Sequence, residues 1–325
     1  MTSPSNLSAA LKRIRIRDFR GIADLALDFV DPRGQPLRFV VIAGPNGSGK
    51  TSVLEACLIA AHRGDLSIPR SDTADTRLGA KGYDIEAVFI SEGREETTQH
   101  SSVARRGSKW GDCDKSDAPV PCAYFASTRV PELVGPIDAS LKPSRRRFKP
   151  ALNMIGEVKK ALLTLKLRST MEPNSDSGFE RAMRRLNDAW RELHPGTEQT
   201  FVLASAGKRV DAGFDVFLFE PAKPLIPVDY LSTGELELFN FFGWMLTTDF
   251  DGGLIVIDEP ELHLDPQWHV QLMRGLVRLQ PNSQFIVGTH SPELYDSAKS
   301  YERFFLIPES DPRLGSWRRT QSNTD

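Results

Sequence analysis

Apolar and polar residues alternate over residues 12–30, which is the pattern of a half-buried β-strand. Ile14, Ile16 and Phe19 mark one face, and the alternation breaks near Gly21 before it resumes. Two antiparallel strands joined by a turn are therefore predicted here. Residues 38–43 end in a continuous apolar run, which predicts a strand buried on both faces, and helical spacing follows over residues 52–62.

The rest of the chain gives the same kinds of pattern. Strands are expected at 83–90, 122–127, 199–205, 214–220, 254–257 and 284–288, and helices at 151–168, 178–194, 236–247 and 266–279. Residues 91–118 are polar and predict a loop or a hairpin. We therefore expect one α/β domain made of four segments. They are an N-terminal lobe (1–64), a β-rich and helical insertion (65–220), a second lobe (221–308) and a polar tail (309–325).

Composition narrows the class of protein. The chain has 325 residues, 40% of them hydrophobic and 26% charged, as in an ordinary globular domain. Lys and Arg number 41 against 43 Asp and Glu, which excludes a broadly basic nucleic-acid coat but not a local basic groove. Three cysteines in no CxxC pair favour a reducing cytoplasm. No apolar run approaches the ~20 residues that span a bilayer, and the N-terminus lacks a signal-peptide pattern.

A glycine-rich loop stands between the strand at 38–43 and the helix at 52–62, and it fits the pattern GxxxxGK[ST] completely. Its residues are Gly44, Pro45, Asn46, Gly47, Ser48, Gly49, Lys50 and Thr51, and Ser52 follows. Glycines let the backbone wrap a phosphate closely, while the helix start adds positive potential. Lys50 is suited to the β- and γ-phosphates and the Thr51 hydroxyl to Mg²⁺. The alternative is a glycine-rich turn with a chance lysine.

Two later strands end in polar residues. Asp258 and Glu259 follow four aliphatic residues, and the carboxyl ends of such strands are where α/β sheets bind ligands. Asp258 is the candidate Mg²⁺ partner and Glu259 the candidate base for the attacking water. His290 ends the next strand and is placed to reach a γ-phosphate. The alternatives are a solvated acidic turn and a structural histidine.

Residues 231–235 open the predicted helix at 236–247. Ser232 is either an N-cap or a phosphate donor, Gly234 permits close approach, and Glu235 completes the run. Taken alone, this segment is better explained as a simple capping sequence.

These four elements, in this order, resemble the ABC-type ATPases. The N-terminal RIRDFRG segment and residues 258–261 resemble the RecF/SMC branch. Residues 124–129 and 289–293 are similar to stand-alone ATPases of bacterial antiphage defence systems, namely Septu, retron-associated and OLD-like ATPases. The resemblance covers residues 12–62 and 225–308 and is weak over 65–220.

The resemblance implies a P-loop NTPase fold: an ABC-type ATPase head with an antiparallel β subdomain and a compact helical and β insertion. It implies ATP and Mg²⁺ as cofactors, with 44–51 as Walker A and 258–259 as Walker B. Residues 231–235 become the signature loop, in which Ser232 and Gly234 contact the γ-phosphate bound by a second chain. Residues 264–265 become the D-loop, His290 the switch histidine, and Arg20 a residue near the nucleotide.

Two departures from the family pattern stand out. The signature reads STGE where a second glycine is common, and no glutamine stands near residues 124–129, where the Q-loop is expected. Gln99 is a weak candidate for that glutamine.

The resemblance also implies partners. We expect an ATP-dependent homodimer and a partner effector, a nuclease or toxin, because no second catalytic constellation occurs in the chain. Arginine clusters at 105–106, 145–147 and 181–185 are candidate DNA or RNA contacts, or else solvated loops and helix faces. The alternatives are a RecF-type repair ATPase and, less favoured, the nucleotide-binding subunit of a transporter.

Overall fold

The computed structural model describes residues 7, 9–67, 72–102, 120–129, 133–137, 154–171, 178–207, 213–248, 250 and 252–308. The chain divides into two compact units. The first comprises Met1–Ser127, Gly252–Pro260 and Asn282–Asp325, and the second comprises Thr128–Asp251 and Glu261–Pro281. The glycine-rich loop, the acidic pair and His290 belong to the first unit, whereas the segment at 231–235 belongs to the second.

An antiparallel sheet forms one part of the first unit. Its strands are β1 (Ala9–Phe19), β2 (Ile22–Asp28), β4 (Asp84–Ser91) and β5 (Arg94–Ser101), in the order β2-β1-β4-β5. The predicted pair around Gly21 is confirmed, with Ile16 opposite Leu25 and Phe19 opposite Ile22. The polar segment after residue 90 forms a hairpin with β4.

A parallel sheet forms the other part of the first unit. Its strands are β3 (Phe39–Ala43), β6 (Cys122–Phe125), β10 (Gly253–Asp258), β11 (Ser283–Thr289) and β12 (Arg303–Phe305), in the order β12-β3-β11-β10-β6. Every residue of β10 and β11 is buried, as the continuous apolar runs predicted. Helices α1 (Lys50–Ala60), α2 (Asp72–Asp75) and α7 (Pro292–Ser297) complete this unit.

The first unit has one continuous hydrophobic core, which joins side chains from both sheets and from α1. Phe19, Phe89, Leu54 and Ile286 are completely buried in it. Cys57 and Cys122 are free thiols within this core, and burial raises the pKa of both, that of Cys122 to about 12. Such thiols stay protonated and act as small apolar side chains.

The second unit is mainly helical. Its helices are α3 (Met154–Met171), α4 (Gly178–Leu193), α5 (Thr233–Thr247) and α6 (Pro266–Leu279), and its three-stranded sheet has the order β7 (Thr200–Ser205), β8 (Phe214–Phe219), β9 (Ile226–Pro227). The apolar stripe predicted for α4 is buried, including Trp190 at 0% exposure. None of the described helices is both long and apolar enough to cross a membrane.

The segment 65–220 contributes strands to all three sheets. Its β4 and β5 extend the antiparallel sheet, β6 pairs with β10 in the parallel sheet, and β7 and β8 form the third sheet. Four of the described helices and strands are absent from the sequence prediction. They are α2, β9, β12 and α7, which have four, two, three and six residues and are too short for a periodic pattern.

A close contact between α3 and α5 generates a prediction about stability. A Cβ atom added at Gly243 of α5 would lie 2.4 Å from Cγ1 of Val158, so the two helices pack there without room for a methyl group. Overpacking typically costs about 1–3 kcal/mol, which exceeds the gain of up to about 1 kcal/mol from replacing a helical glycine by alanine. We expect Gly243→Ala to lower the free energy of unfolding by about 1–2 kcal/mol in urea denaturation.

The matched control is the double variant Gly243→Ala/Val158→Ala, in which the clash is removed. Val158→Ala alone loses buried methyl groups, so the double variant should lose less stability than the sum of the two single variants, which is a favourable coupling in a double-mutant cycle. A Gly243→Ala protein as stable as wild type would contradict the packing described.

Candidate functional site

Four parallel strands end at the same edge of the first unit's parallel sheet. The register places Asp258 opposite Gly288, Thr289 opposite Ala43, and Ile257 opposite Phe125. The glycine-rich loop after β3, the acidic pair after β10 and His290 after β11 therefore converge there, as the sequence predicted. This is the edge at which parallel α/β sheets bind ligands.

The glycine-rich loop adopts backbone conformations that favour glycine. Gly47 and Gly49 have φ values of 77° and 97°, and Gly49 is the N-cap of α1. A Cβ at Gly44 would lie 2.5 Å from the carbonyl oxygen of Leu306, so only glycine fits. The loop thus leads directly into an 11-residue helix whose N-terminus directs backbone N–H groups and positive potential toward an anion.

Lys50 lies inside the curve of this loop. Its ammonium donates hydrogen bonds to the carbonyl oxygens of Gly44 at 2.9 Å and of Pro45 at 3.1 Å, and the residue is only 6% exposed. The positive charge is thus held where a phosphate cradled by the loop would be. The arrangement suits anion binding.

Asp258 accepts two hydroxyl hydrogen bonds on one oxygen. Thr51 Oγ1 donates to Oδ2 at 2.8 Å and Ser127 Oγ donates to the same atom at 3.1 Å, and Asp258 is 1% exposed. A Cβ at Gly288 would lie 3.0 Å from Oδ1, so this glycine leaves room for the carboxylate. The site is an oxygen-only donor set, which is the chemistry that Mg²⁺ prefers.

Glu259 and His290 stand next to each other beyond the strand ends. His290 Nε2 lies 3.6 Å from Glu259 Oε1, and both side chains are about one third exposed, at 34% and 31%. Glu259 has a φ of 50°, and its N–H donates to the carbonyl of Gly288 at 2.8 Å. This left-handed backbone at a non-glycine residue is a strained conformation of the kind that collects at functional sites. It turns the chain sharply directly after Asp258.

Arg20 is held by two carboxylates. Its guanidinium pairs with Glu55 of α1 and donates to Asp75 at 2.7 Å, and its side chain is 10% exposed. Burial opposes the charged form, but the two carboxylates outweigh it and raise the pKa of Arg20. The structure therefore gives Arg20 a role in fixing α1, the helix that begins at the glycine-rich loop. Its expected approach to the nucleotide stays a prediction.

The segment at 231–235 lies in the second unit and forms a complete capping box. Ser232 Oγ accepts from the N–H of Glu235 at 3.4 Å, and Glu235 Oε2 accepts from the N–H of Ser232 at 2.9 Å. The capping alternative is thus observed, while Ser232 and Thr233 remain exposed. A Cβ at Gly234 would lie 2.7 Å from the carbonyl oxygen of His263, so the residue before the predicted D-loop packs against the start of α5.

Asp265 of that D-loop is the N-cap of α6, and its side chain accepts from the N–H of Gln267 at 3.0 Å.

A buried ion pair also belongs to the second unit. In it, Arg129 donates to Glu237 of α5 at 3.2 Å. Burial raises the pKa of Glu237, although the nearby Arg129 charge acts in the opposite direction.

Sequence reasoning missed Ser127. The family pattern places a glutamine near the end of β6, whereas in the structure the Ser127 hydroxyl donates a hydrogen bond to Asp258 there. The signal was a hydroxyl residue two positions after a short apolar strand. Gln99 lies instead on β5, where it donates to Asp84 at 3.2 Å, and it does not stand at the end of a parallel strand.

The candidate nucleic-acid arginines divide into two groups. Arg181, Arg184 and Arg185 are exposed on α4, and Arg185 also donates to the carbonyl of Leu279 at 2.9 Å. The clusters at 105–106 and 145–147 lie outside the described residues.

Known proteins similar to this chain include a retron ATPase, a Septu protein and a RecF protein. The chain is 41% identical over 62 residues to a Vibrio cholerae protein named Retron Vc95 probable ATPase, covering 19% of this chain and 12% of that one. It is 20% identical over 292 residues to Septu protein PtuA of Bacillus mycoides, covering 87% of this chain and 38% of that one. It is also 38% identical over 68 residues to the DNA replication and repair protein RecF of Corynebacterium jeikeium, covering 21% and 16%.

The chain therefore spans well under half the length of these relatives, 38% at most.

Solved structures show the fold. An Smc head bound to the C-winged helix domain of ScpA matches with a TM-score of 0.55 at 15% identity, covering 89% of this chain and 92% of that one. An Smc head domain with an extended coiled coil, bound to the C-terminal domain of ScpA derived from Pyrococcus furiosus, matches with a TM-score of 0.53 at 14% identity, covering 97% and 99%.

The expected fold is thus confirmed as a P-loop NTPase of the SMC-head type. A family model described as "AAA domain, putative AbiEii toxin, Type IV TA system" matches residues 39–296, which include the glycine-rich loop, the acidic pair and His290. That match covers most of the 325 residues, and the chain therefore belongs to this AAA family of P-loop ATPases.

Proposed function

We propose that this protein binds and hydrolyses Mg²⁺·ATP, and that ATP joins two copies of it into a dimer. The observation that carries the proposal is the hydrogen bond from Thr51 to Asp258. It ties the residue after the phosphate-binding lysine to the carboxylate at the end of a neighbouring strand, which is the arrangement that a Mg²⁺-bound triphosphate requires. A site that binds only an anion would not need the Asp258 carboxylate, because its negative charge would repel the anion.

The metal would be held by Thr51 and Asp258 together with oxygens of the nucleotide. When bound, Mg²⁺ would neutralise charge on the phosphates. Lys50 would exchange its bonds with the Gly44 and Pro45 carbonyls for the phosphate oxygens, which bind an ammonium more strongly because they are charged.

Glu259 is our candidate for the group that activates the attacking water. Its side chain is 31% exposed, so water reaches it, whereas Asp258 beside it is 1% exposed. The turn at φ 50° separates the two carboxylates, and Asp258 is left for the metal. His290, 3.6 Å from Glu259, would contact the γ-phosphate or orient the base.

The second half of the site would come from another copy. Ser232 and Thr233 are exposed at the N-terminus of α5, a 15-residue helix, where N–H groups and helix dipole favour an anion. Glu235 accepts the Ser232 hydroxyl at 2.7 Å and would fix its orientation. We propose that these residues and Gly234 meet the γ-phosphate held by the loop of the partner chain. Two identical composite sites would then form about a two-fold axis.

The biological setting we propose is control of a partner effector, a nuclease or toxin, in a bacterial defence system. The support is the family description and the relatives named for Septu and a retron. A RecF-like role in DNA repair is the second candidate, favoured by the 38% identity to a RecF protein. Purification of the untagged protein from its host, with mass spectrometry of what is bound, separates them. An effector protein supports the first role, and DNA without an effector supports the second.

Replacing Glu259 tests the hydrolytic assignment. Glu259→Gln keeps size and hydrogen bonding but removes the base, and loss of a general base typically costs 10²–10⁴-fold in rate. We expect ATP turnover to fall by about that factor while ATP still binds, so that light scattering shows an ATP-dependent dimer. Glu157→Gln, at an exposed glutamate of α3, is the control and should change neither property. Wild-type turnover in Glu259→Gln, or a monomer with ATP at micromolar protein, would contradict the proposal.

Mixing two inactive variants tests whether the site is shared. Lys50→Ala removes the phosphate contact, and Ser232→Asp keeps an N-cap but repels the γ-phosphate. Each alone should be inactive. Mixed in equal amounts, they should regain about a quarter of wild-type turnover, because half of the dimers then contain one intact composite site of two.

Ser232→Asn is the matched control for that experiment, because asparagine caps a helix as well as aspartate but carries no charge. It should retain far more turnover than Ser232→Asp. No recovery of turnover in the mixture would show that the loop and the helix of one chain do not serve a partner's site.

A further inference from the structure

The second unit contains a lysine that no solvent reaches. Lys159 of α3 is 0% exposed, and its ammonium lies 2.7 Å from Oδ1 of Asp215 and 2.5 Å from Oδ2 of Asp229. It also donates to the carbonyl oxygen of Gly135 at 3.1 Å. Burying an ammonium is strongly unfavourable unless charged partners surround it, so this cluster is a specific arrangement rather than a surface ion pair.

The two carboxylates sit on different elements. Asp215 belongs to β8 and is 2% exposed, and its Oδ1 also accepts from the N–H of Val216 at 2.8 Å. Asp229 belongs to the short 3₁₀ turn Val228–Tyr230, which ends one residue before the segment at 231–235. One lysine therefore ties α3 to β8 and to the turn that leads into α5.

Asp229 is fixed more completely than an ion pair alone would fix it. Its two oxygens accept from the N–H groups of Val134 at 3.3 Å and Gly135 at 3.1 Å, in addition to Lys159. The next residue, Tyr230, is 79% exposed. The chain thus leaves this hydrogen-bonded anchor and reaches Ser232 within three residues, a span of at most about 11 Å. Little freedom remains for Ser232 to move independently of that anchor.

We propose that Lys159 and Asp229 are positioning residues for the nucleotide half-site at Ser232–Glu235. The buried charge pair sets where the start of α5 is presented to the partner's nucleotide, and it makes no contact with ATP itself. The inference rests on the proposed function, because a half-site matters only if a second chain uses it. The inference adds Lys159 of α3 to the residues that serve this half-site. Helix α3 lies within residues 65–220, where the sequence resemblance is weakest.

The two carboxylates of Lys159 provide a matched pair of variants. Asp229→Asn and Asp215→Asn each remove one negative charge from the same buried lysine and leave it paired with the other carboxylate. Only Asp229 lies on the turn that precedes Ser232. We expect Asp229→Asn to lower ATP turnover at least about tenfold, the size of effect for one charged hydrogen bond. Asp215→Asn should lose much less turnover.

Mixing experiments separate a positioning role from general damage. Asp229→Asn has an intact phosphate loop, so it should regain turnover when mixed with Lys50→Ala, which supplies an intact Ser232 half-site. It should regain none with Ser232→Asp, because both chains then lack a working half-site. Binding of a fluorescent ATP analogue to Asp229→Asn should stay within about fivefold of wild type, since the loop is unchanged.

Three outcomes would overturn the positioning role. They are wild-type turnover in Asp229→Asn, recovery of its turnover when it is mixed with Ser232→Asp, and no recovery with either Lys50→Ala or Ser232→Asp. If Asp229→Asn does not fold, Asp229→Glu keeps the charge, displaces the turn by one methylene, and should show the same selective rescue. Failure of Lys50→Ala and Ser232→Asp to rescue each other would overturn the shared site first, and the positioning role with it.

Discussion

Two hydroxyl groups bound to one carboxylate oxygen are the interaction on which the candidate site depends. Thr51 lies in the first turn of α1, Asp258 ends β10 and Ser127 follows β6, so the contact joins the start of a helix to the ends of two strands. It is possible only because parallel pairing brings the carboxyl ends of these strands to one edge in a fixed register. A shift of one residue would turn Asp258 toward the opposite face of the sheet.

Charge is distributed differently in the two units. In the first, Lys50 and the start of α1 supply positive potential, and Asp258 supplies the negative charge that a metal would neutralise. In the second, buried pairs are structural: Lys159 with Asp215 and Asp229, and Arg129 with Glu237. Removing one partner of such a pair costs about 3–5 kcal/mol, so these charges give the helices around Ser232 a definite arrangement.

The sequence predicted the parts of this protein that depend on local pattern. Buried strands such as β10 gave continuous apolar runs, and the phosphate loop has its own glycine spacing. The N-cap at Ser232 was predicted from residue type alone. The sequence could not predict contacts between residues far apart in the chain. Ser127 and Asp258 are 131 positions apart, and Lys159 and Asp229 are 70 apart. In neither pair does the sequence around one residue indicate its partner. Strand β9 has only two residues, too few to show an alternating pattern of apolar and polar positions.

The most direct test of this account is a crystal structure of the protein with Mn²⁺ and a non-hydrolysable ATP analogue, with the metal located by anomalous scattering. The account predicts a manganese peak beside Thr51 Oγ1 and Asp258, phosphates within the loop at 44–51, and Ser232 of a second copy at the γ-phosphate. A nucleotide bound in the loop of an isolated chain, or a metal peak away from Thr51 and Asp258, would contradict it.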